Sequence, residues 1–177
     1  LGLLALLLLQ DSRREARTGA RGELVLLEEQ DRSLWDEARI EEGLRVLDRA
    51  LSLRRPGPYQ LQAAIAALHA RAGSADETDW RQIAALYTEL ERWTGSPVVA
   101  LNRAVAVAMA QGPEEGLRMT ERIPGLESYH LFHATRADLL RRLERHTEAA
   151  VAYRRALELA TNPVERAYLQ RRLAEVA

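Results

Sequence analysis

A helical-face pattern recurs every 33 residues along this chain: Tyr87, Thr120 and Tyr153 fall at that step, as do Ile83, Gly116 and Ala149, and again Leu90, Ile123 and Ala156. Taken across, Ile83–Tyr87–Leu90, Gly116–Thr120–Ile123 and Ala149–Tyr153–Ala156 occupy positions i, i+4 and i+7, one face of an α-helix. Recurrence at a period of 20 to 50 residues marks supersecondary units that cannot bury their apolar faces alone and must stack to do so. The six prolines and ten glycines cluster between long runs rich in Ala, Leu, Arg and Glu, all strong helix formers. Alternating β-branched and aromatic residues are scarce, so strands have little to build on. The expectation is an all-α chain.

The last unit is the clearest. Its second helix, TEAAVAYRRALEL from Thr147 to Leu159, places Ala149, Tyr153 and Ala156 in a small–aromatic–small pattern. Small residues let two helices approach closely, and the ring fills the groove between units. This pattern matches the second helix of a tetratricopeptide repeat. The first helix, near Leu131 to Leu143, carries Ala134, Ala137 and Leu140 on its inner face. The unit before it opens at Ser96–Pro97, a capping residue followed by proline at the first helical position, and turns at Gly112–Pro113 before ending ahead of Pro124–Gly125. An earlier unit starts after Pro58 with YQLQAAIAALHARA, and a longer turn, Gly73 to Thr78, leads to a second helix through Trp93.

A fourth, divergent pair is expected at the start: a buried helix from Leu1 to about Ala16, continuing from a missing upstream part, and a partner from about Leu34 to Leu53 capped by Asp31 or Ser33. The connection from Thr18 to Arg32 is long for a repeat turn and contains Leu24-Val-Leu-Leu27, so it should pack or form a short extra element. At the other end, Asn162-Pro163-Val164-Glu165 reads as a capping-box start, with Arg166, Arg171 and Arg172 facing outward from a terminal capping helix. The whole is one tetratricopeptide-like domain, residues 1–177. It is expected to be a right-handed superhelix of about four antiparallel helix pairs plus the C-terminal cap, an α-solenoid with a concave face for binding.

Charge and cysteine usage narrow the function. A net charge of −1 favours neither DNA nor an anionic membrane. All 25 basic residues are arginine, either from a high-GC coding sequence or because guanidinium forks suit carboxylate and phosphate pairing. Cysteine is absent, which removes thiolate catalysis and thiolate metal sites and fits a reducing, cytoplasmic location. LGLLALLLL at residues 1–9 is far short of the roughly 20 apolar residues that span a bilayer, and no secretory leader pattern is present.

Catalytic motifs are missing. Gly19-Ala-Arg-Gly22 is not followed by the Gly-Lys-Ser/Thr of a phosphate loop, and no nucleophile elbow occurs. His130 and His133, spaced i, i+3, could share a metal only with a third ligand; the plainer reading is that they mark a helix start. An enzyme would need them gathered with Asp138 in a pocket. Glu28–Glu29 and Glu41–Glu42 lie in charged stretches where solvation is the default. Trp35, Trp80 and Trp93 are candidate hot spots or core fillers, with Trp80 read as a plug between helices. Asn102–Arg103 resembles the start of a carboxylate clamp, yet the positions 29 and 33 residues on are Leu131 and Thr135, neither basic. Arg136, beside them, is turned away by about 100°. No catalytic, metal or cofactor residue is assigned.

Six stretches reach further: LGLLALLLL, GELVLLEEQDRSLWD, PGPYQLQAAIAALHA, TDWRQIAALY, SPVVALNRAVAVAMAQGP and ATRADLLRRL. Together they resemble the C-terminal extension of a group of extracytoplasmic-function (ECF) sigma factors, in which a tetratricopeptide-like domain follows two regions that bind DNA and polymerase. The resemblance runs over essentially the whole chain; it departs at Glu144, where the family usually has glycine. It implies a bacterial, cytoplasmic, non-catalytic regulatory domain. Its partners would be the sigma regions of its own chain, RNA polymerase core through those regions, and a regulatory protein, with no direct contact to nucleic acid or membrane. A generic peptide-binding adaptor is the alternative. The polar and amphipathic residues of these stretches form the candidate binding surface: Asp31, Arg32, Trp35, Tyr59, Gln60, Asn102, Arg103, Arg136 and Asp138. Hydrogen bonding between repeats is the competing role for each.

Overall fold

The computed structural model describes all residues, 1–177, and is all-helical. Nine α-helices run in order: α1 (Gly2–Asp11), α2 (Glu37–Ser52), α3 (Pro58–Arg71), α4 (Trp80–Thr94), α5 (Pro97–Gln111), α6 (Pro113–Thr120), α7 (His130–Arg142), α8 (His146–Leu159) and α9 (Pro163–Ala174). Paired β structure is limited to one isolated bridge, Thr18 to Leu24. Four sequence-adjacent pairs and a final helix are therefore present as expected, and the helices group into two compact units, Leu1–Thr94 and Gly95–Ala177.

In the first unit α1 packs on both α2 and α3, and α3 packs on α4. Its core gathers Ala5, Leu9, Leu47, Ala63, Ala66 and Ala67. Gly43 of α2 lets α1 come close: a Cβ there would lie 2.8 Å from Leu9 Cγ. In the second unit α5 pairs with α6, α6 with α7, α7 with α8, and α8 with α9. Ala137, Leu140, Ala149, Tyr153 and Ala156 form its centre. Full burial of a side chain the size of Leu140 contributes about 1.5–3 kcal/mol, and the small alanines let the helices come close enough for that burial. Gly116 permits the closest helix approach, since a Cβ there would sit 2.4 Å from Ala108 Cβ and 3.0 Å from the Ala104 carbonyl.

Seven of the nine positions in the 33-residue register are buried; Tyr87 and Ile123 are half-buried, and Ile123 lies beyond the end of α6. Ile83, Thr120, Ala149, Tyr153 and Ala156 are at most 1% exposed, and Gly116 is buried. Proline opens α3, α5, α6 and α9, where its missing N–H costs nothing. His130 begins α7 and Trp80 begins α4, as expected.

Five expectations need correction. The first helix ends at Asp11, where the Ser12 hydroxyl donates to the Leu9 carbonyl and the chain passes into a 3-10 segment at Glu15–Arg17. That helix is not buried all round: Ala5 and Leu9 face inward while Leu3, Leu4 and Leu7 are exposed. The second helix starts at Glu37, not Leu34. Asp36 caps it by accepting from the Arg39 N–H at 3.0 Å, while Asp31 caps a separate 3-10 turn, Arg32–Leu34. At the C-terminal cap, Asn162 accepts from the N–H groups of Val164 and Glu165. The Glu165 carboxylate, however, faces His130 at 3.1 Å instead of completing a capping box. Arg166 turns inward and donates to the carbonyls of Leu157 and Ala160, satisfying the end of α8. Glu144, between α7 and α8, sits at φ +59, the left-handed region that favours glycine.

Candidate functional site

The segment between α1 and α2 departs furthest from a repeat turn. Its backbone is knotted by bonds of its own: Gly19 N–H to the Glu23 carbonyl at 2.9 Å, Val25 N–H to the Arg17 carbonyl at 3.1 Å, and Asp36 N–H to the Ser12 carbonyl at 2.9 Å. Leu24 to Leu27 are half-buried, which fits their apolar character. This packing delivers Arg13, Arg17, Arg32 and Trp35 to one place, beside the ends of α1 and α3.

Trp35 is 5% exposed and receives two guanidinium groups, Arg32 at 4.0 Å and Arg13 at 5.5 Å from its ring centroid. Cation–π attraction of this kind contributes about 0.5–2 kcal/mol, more where water is excluded. Arg32 donates to the His69 carbonyl in the last turn of α3 at 2.8 Å. Arg13 donates to Gln10 Oε1 at 2.6 Å, and Arg17 donates to the Gln10 carbonyl and to the same Oε1, at 2.5 and 3.0 Å. The His69 ring meets Trp80 edge-on, centroids 5.1 Å apart, so Trp80 does plug two helices.

Every acceptor of these three arginines is neutral, and none of the three makes an ion pair. Several arginines elsewhere do pair with acids: Arg118 with Glu115, Arg141 with Asp138, Arg145 with Glu148 and Arg155 with Glu158; Arg166, like Arg13, Arg17 and Arg32, donates to carbonyls. The electrostatic consequence is visible in the titrating groups. Burial, then the charges of Arg17 and Arg32, lower Arg13 to about 10, opposed by Tyr87. Burial, then Arg13 and Arg32, lower His69 to about 4, so its imidazole is neutral at pH 7. Burial raises Tyr87, and Arg13 opposes that shift. Half-buried positive charges crowd a small aromatic-lined space without a carboxylate to balance them.

Of the residues proposed from sequence, Arg32 and Trp35 belong to this cluster. Asp31 does not: it accepts from the N–H and hydroxyl of Ser33, which hold its carboxyl below the usual range. Tyr59 is exposed at the start of α3, and Gln60 donates to the Arg55 carbonyl at 3.0 Å and lies against Gly2. In the second unit Asn102 is exposed on α5 and Arg103 half-buried beside it. Arg136 donates to Glu121, and Asp138 pairs with Arg141 at 2.5 Å. His130, His133 and Asp138 do not converge, since His133 contacts the Glu127 carbonyl and His130 faces Glu165. No group of three or more His, Asp or Glu side chains is placed to hold a metal ion.

Sequence reasoning missed Arg13, Arg17, His69 and Tyr87. A signal for the first two was present. Arg13 has Gln10 three residues behind it and Arg17 four ahead, with no acid three or four residues away on either side. Like charges at i, i+4 oppose a helix, and the helix indeed stops before them.

Residues 1–51 match a family of unknown function (DUF6596), a segment that contains Arg13, Arg17, Arg32 and Trp35. An uncharacterized protein of Rhizobium meliloti (strain 1021) is 53% identical over 178 residues, a match that covers 100% of this chain and 42% of the relative. The chain thus spans less than half the length of that curated relative. No solved structure matches it significantly. No helix is long and apolar enough to cross a membrane.

Proposed function

We propose that this chain is a non-catalytic regulatory domain of an ECF-type RNA polymerase sigma factor, acting in the bacterial cytoplasm through protein–protein contact. The observation that carries the reading is the co-occurrence of the stretch GELVLLEEQDRSLWD with the three helix-opening motifs PGPYQLQ, TDWRQIAALY and SPVVALNRA, which together resemble the sigma extension. Paired helices that expose polar and aromatic side chains on their outer faces support it, because such surfaces bind other chains. The greater length of the Rhizobium meliloti relative is compatible with sigma regions elsewhere in a longer protein. In this reading the domain holds the sigma regions, or a regulatory protein, in a state that permits or blocks polymerase engagement.

The test uses the longer protein. It should bind RNA polymerase core, and the chain described here should not. Removing the domain, by ending the protein before Leu1, should change transcription from its target promoters; unchanged transcription would overturn the regulatory role. A generic peptide-binding adaptor is the second reading, favoured by the unpaired arginines around Trp35. It would be upheld by a longer protein that binds acidic peptides but not polymerase.

A further inference from the structure

We propose that Arg13, Arg17 and Arg32, set around Trp35, form a binding site for a single carboxylate. Three features lead there. The three guanidinium groups are drawn into one place by the segment between α1 and α2, and none has an acidic partner. Arg13 and Arg32 are half-buried, so water screens their mutual repulsion poorly. Both guanidinium groups lie over Trp35, and each makes a single side-chain hydrogen bond, so further N–H donors remain for the parallel pair of hydrogen bonds a planar carboxylate accepts.

The surroundings favour a carboxylate over a phosphate. Arg17 already donates to a carbonyl in the last turn of α1, and Arg32 to one in the last turn of α3. Helix C-termini carry partial negative charge, so they offset part of the arginine charge and oppose a dianion. The nearby imidazole of His69 is neutral at pH 7 and adds no cation. A flat monoanion against an aromatic wall satisfies the site. It would bind carboxylate whether or not the chain serves a sigma factor.

The carboxylate could come from an Asp or Glu side chain of a polypeptide or from a small free acid, and one titration separates them. The side-chain Nε–Hε signals of Arg13 and Arg32 and the indole signal of Trp35 would be followed by NMR at constant ionic strength. The probes are a blocked, amidated glutamate-rich peptide, sodium acetate, inorganic phosphate and sodium chloride. Saturable shifts with the peptide at tenfold or more lower concentration than acetate would identify a polypeptide ligand; equal potency would identify a small acid. Arg17→Gln, an exposed position, should weaken binding about tenfold with the fold intact by circular dichroism, whereas Arg154→Gln on α8 should leave it unchanged. Shifts that chloride reproduces, tighter binding of phosphate than of either carboxylate, or full binding by Arg17→Gln would each overturn the proposal.

Discussion

The two units of this protein are built from the same kind of helix pair and put it to different ends. From Gly95 to Ala177 the pairs are regular: small residues at the closest approaches, one aromatic ring at the centre, and five of the twelve arginines, Arg118, Arg141, Arg145, Arg155 and Arg172, matched to acids three residues away. From Leu1 to Thr94 the pairing is interrupted by a 25-residue connection, residues 12–36, and there three arginines lack acids altogether. Regularity serves stability, and departure from it gathers chemistry. Natural sequences commonly give up local consistency where a ligand must bind.

The contrast can be broken most sharply in the second unit. Tyr153, 1% exposed and at the centre of its core, should lose about 3–5 kcal/mol on Tyr153→Ala, read as a fall in the denaturation midpoint. A loss under 1 kcal/mol would show that the repeat core is not what holds this unit.

In the first unit the largest effect should be electrostatic and pH-dependent. His69 titrates near 4 when folded and near 6.5 when unfolded, because burial and the charges of Arg13 and Arg32 resist its protonation. Above pH 6.5 both states are neutral and His69 has no effect. As pH falls below 6.5 the unfolded chain takes up a proton that the folded chain refuses, so stability drops, by about 2–3 kcal/mol once pH reaches 4. His69→Gln should flatten the decline of Tm between pH 7 and pH 4.5. An unchanged slope would mean the imidazole is not surrounded as described.

Smaller effects compare the two close helix approaches. Gly116→Ala drives a Cβ into Ala108 and the Ala104 backbone, which cannot yield, and should cost about 2 kcal/mol despite the gain in helix propensity. Gly43→Ala meets the Leu9 side chain, which can rotate, and should cost less than about 1 kcal/mol. Equal costs would remove the distinction between a rigid and an adaptable contact. Smallest, and of opposite sign, Glu144→Gly should raise stability by about 0.5–1 kcal/mol by relieving a left-handed conformation, measured by urea denaturation.

Much of the fold was legible because its signals are periodic. The step from Tyr87 to Thr120 to Tyr153, the prolines at helix starts and the turn at Gly112–Pro113 all report local geometry, and local geometry survives into the structure. The first pair was less legible. Asp31, Ser33 and Asp36 are equally good caps by residue type, and only the fold of the connection decided that Asp36 caps α2 and Asp31 a short turn. Glu165 likewise had two partners available and took His130. The candidate site was half legible. Arg32 and Trp35 lie close in sequence, but His69 and Tyr87 reach them only through packing of α3 and α4, which no spacing in the chain encodes.

That Arg13, Arg17 and Arg32 are held for binding and not for stability is tested most directly by the thermal midpoint of Arg13→Met. Methionine keeps the unbranched stem and removes a half-buried charge that lacks a counter-ion, so Tm should rise or hold while the carboxylate response disappears. A clear fall in Tm would make Arg13 a structural brace, and the cluster part of the scaffold instead of a site.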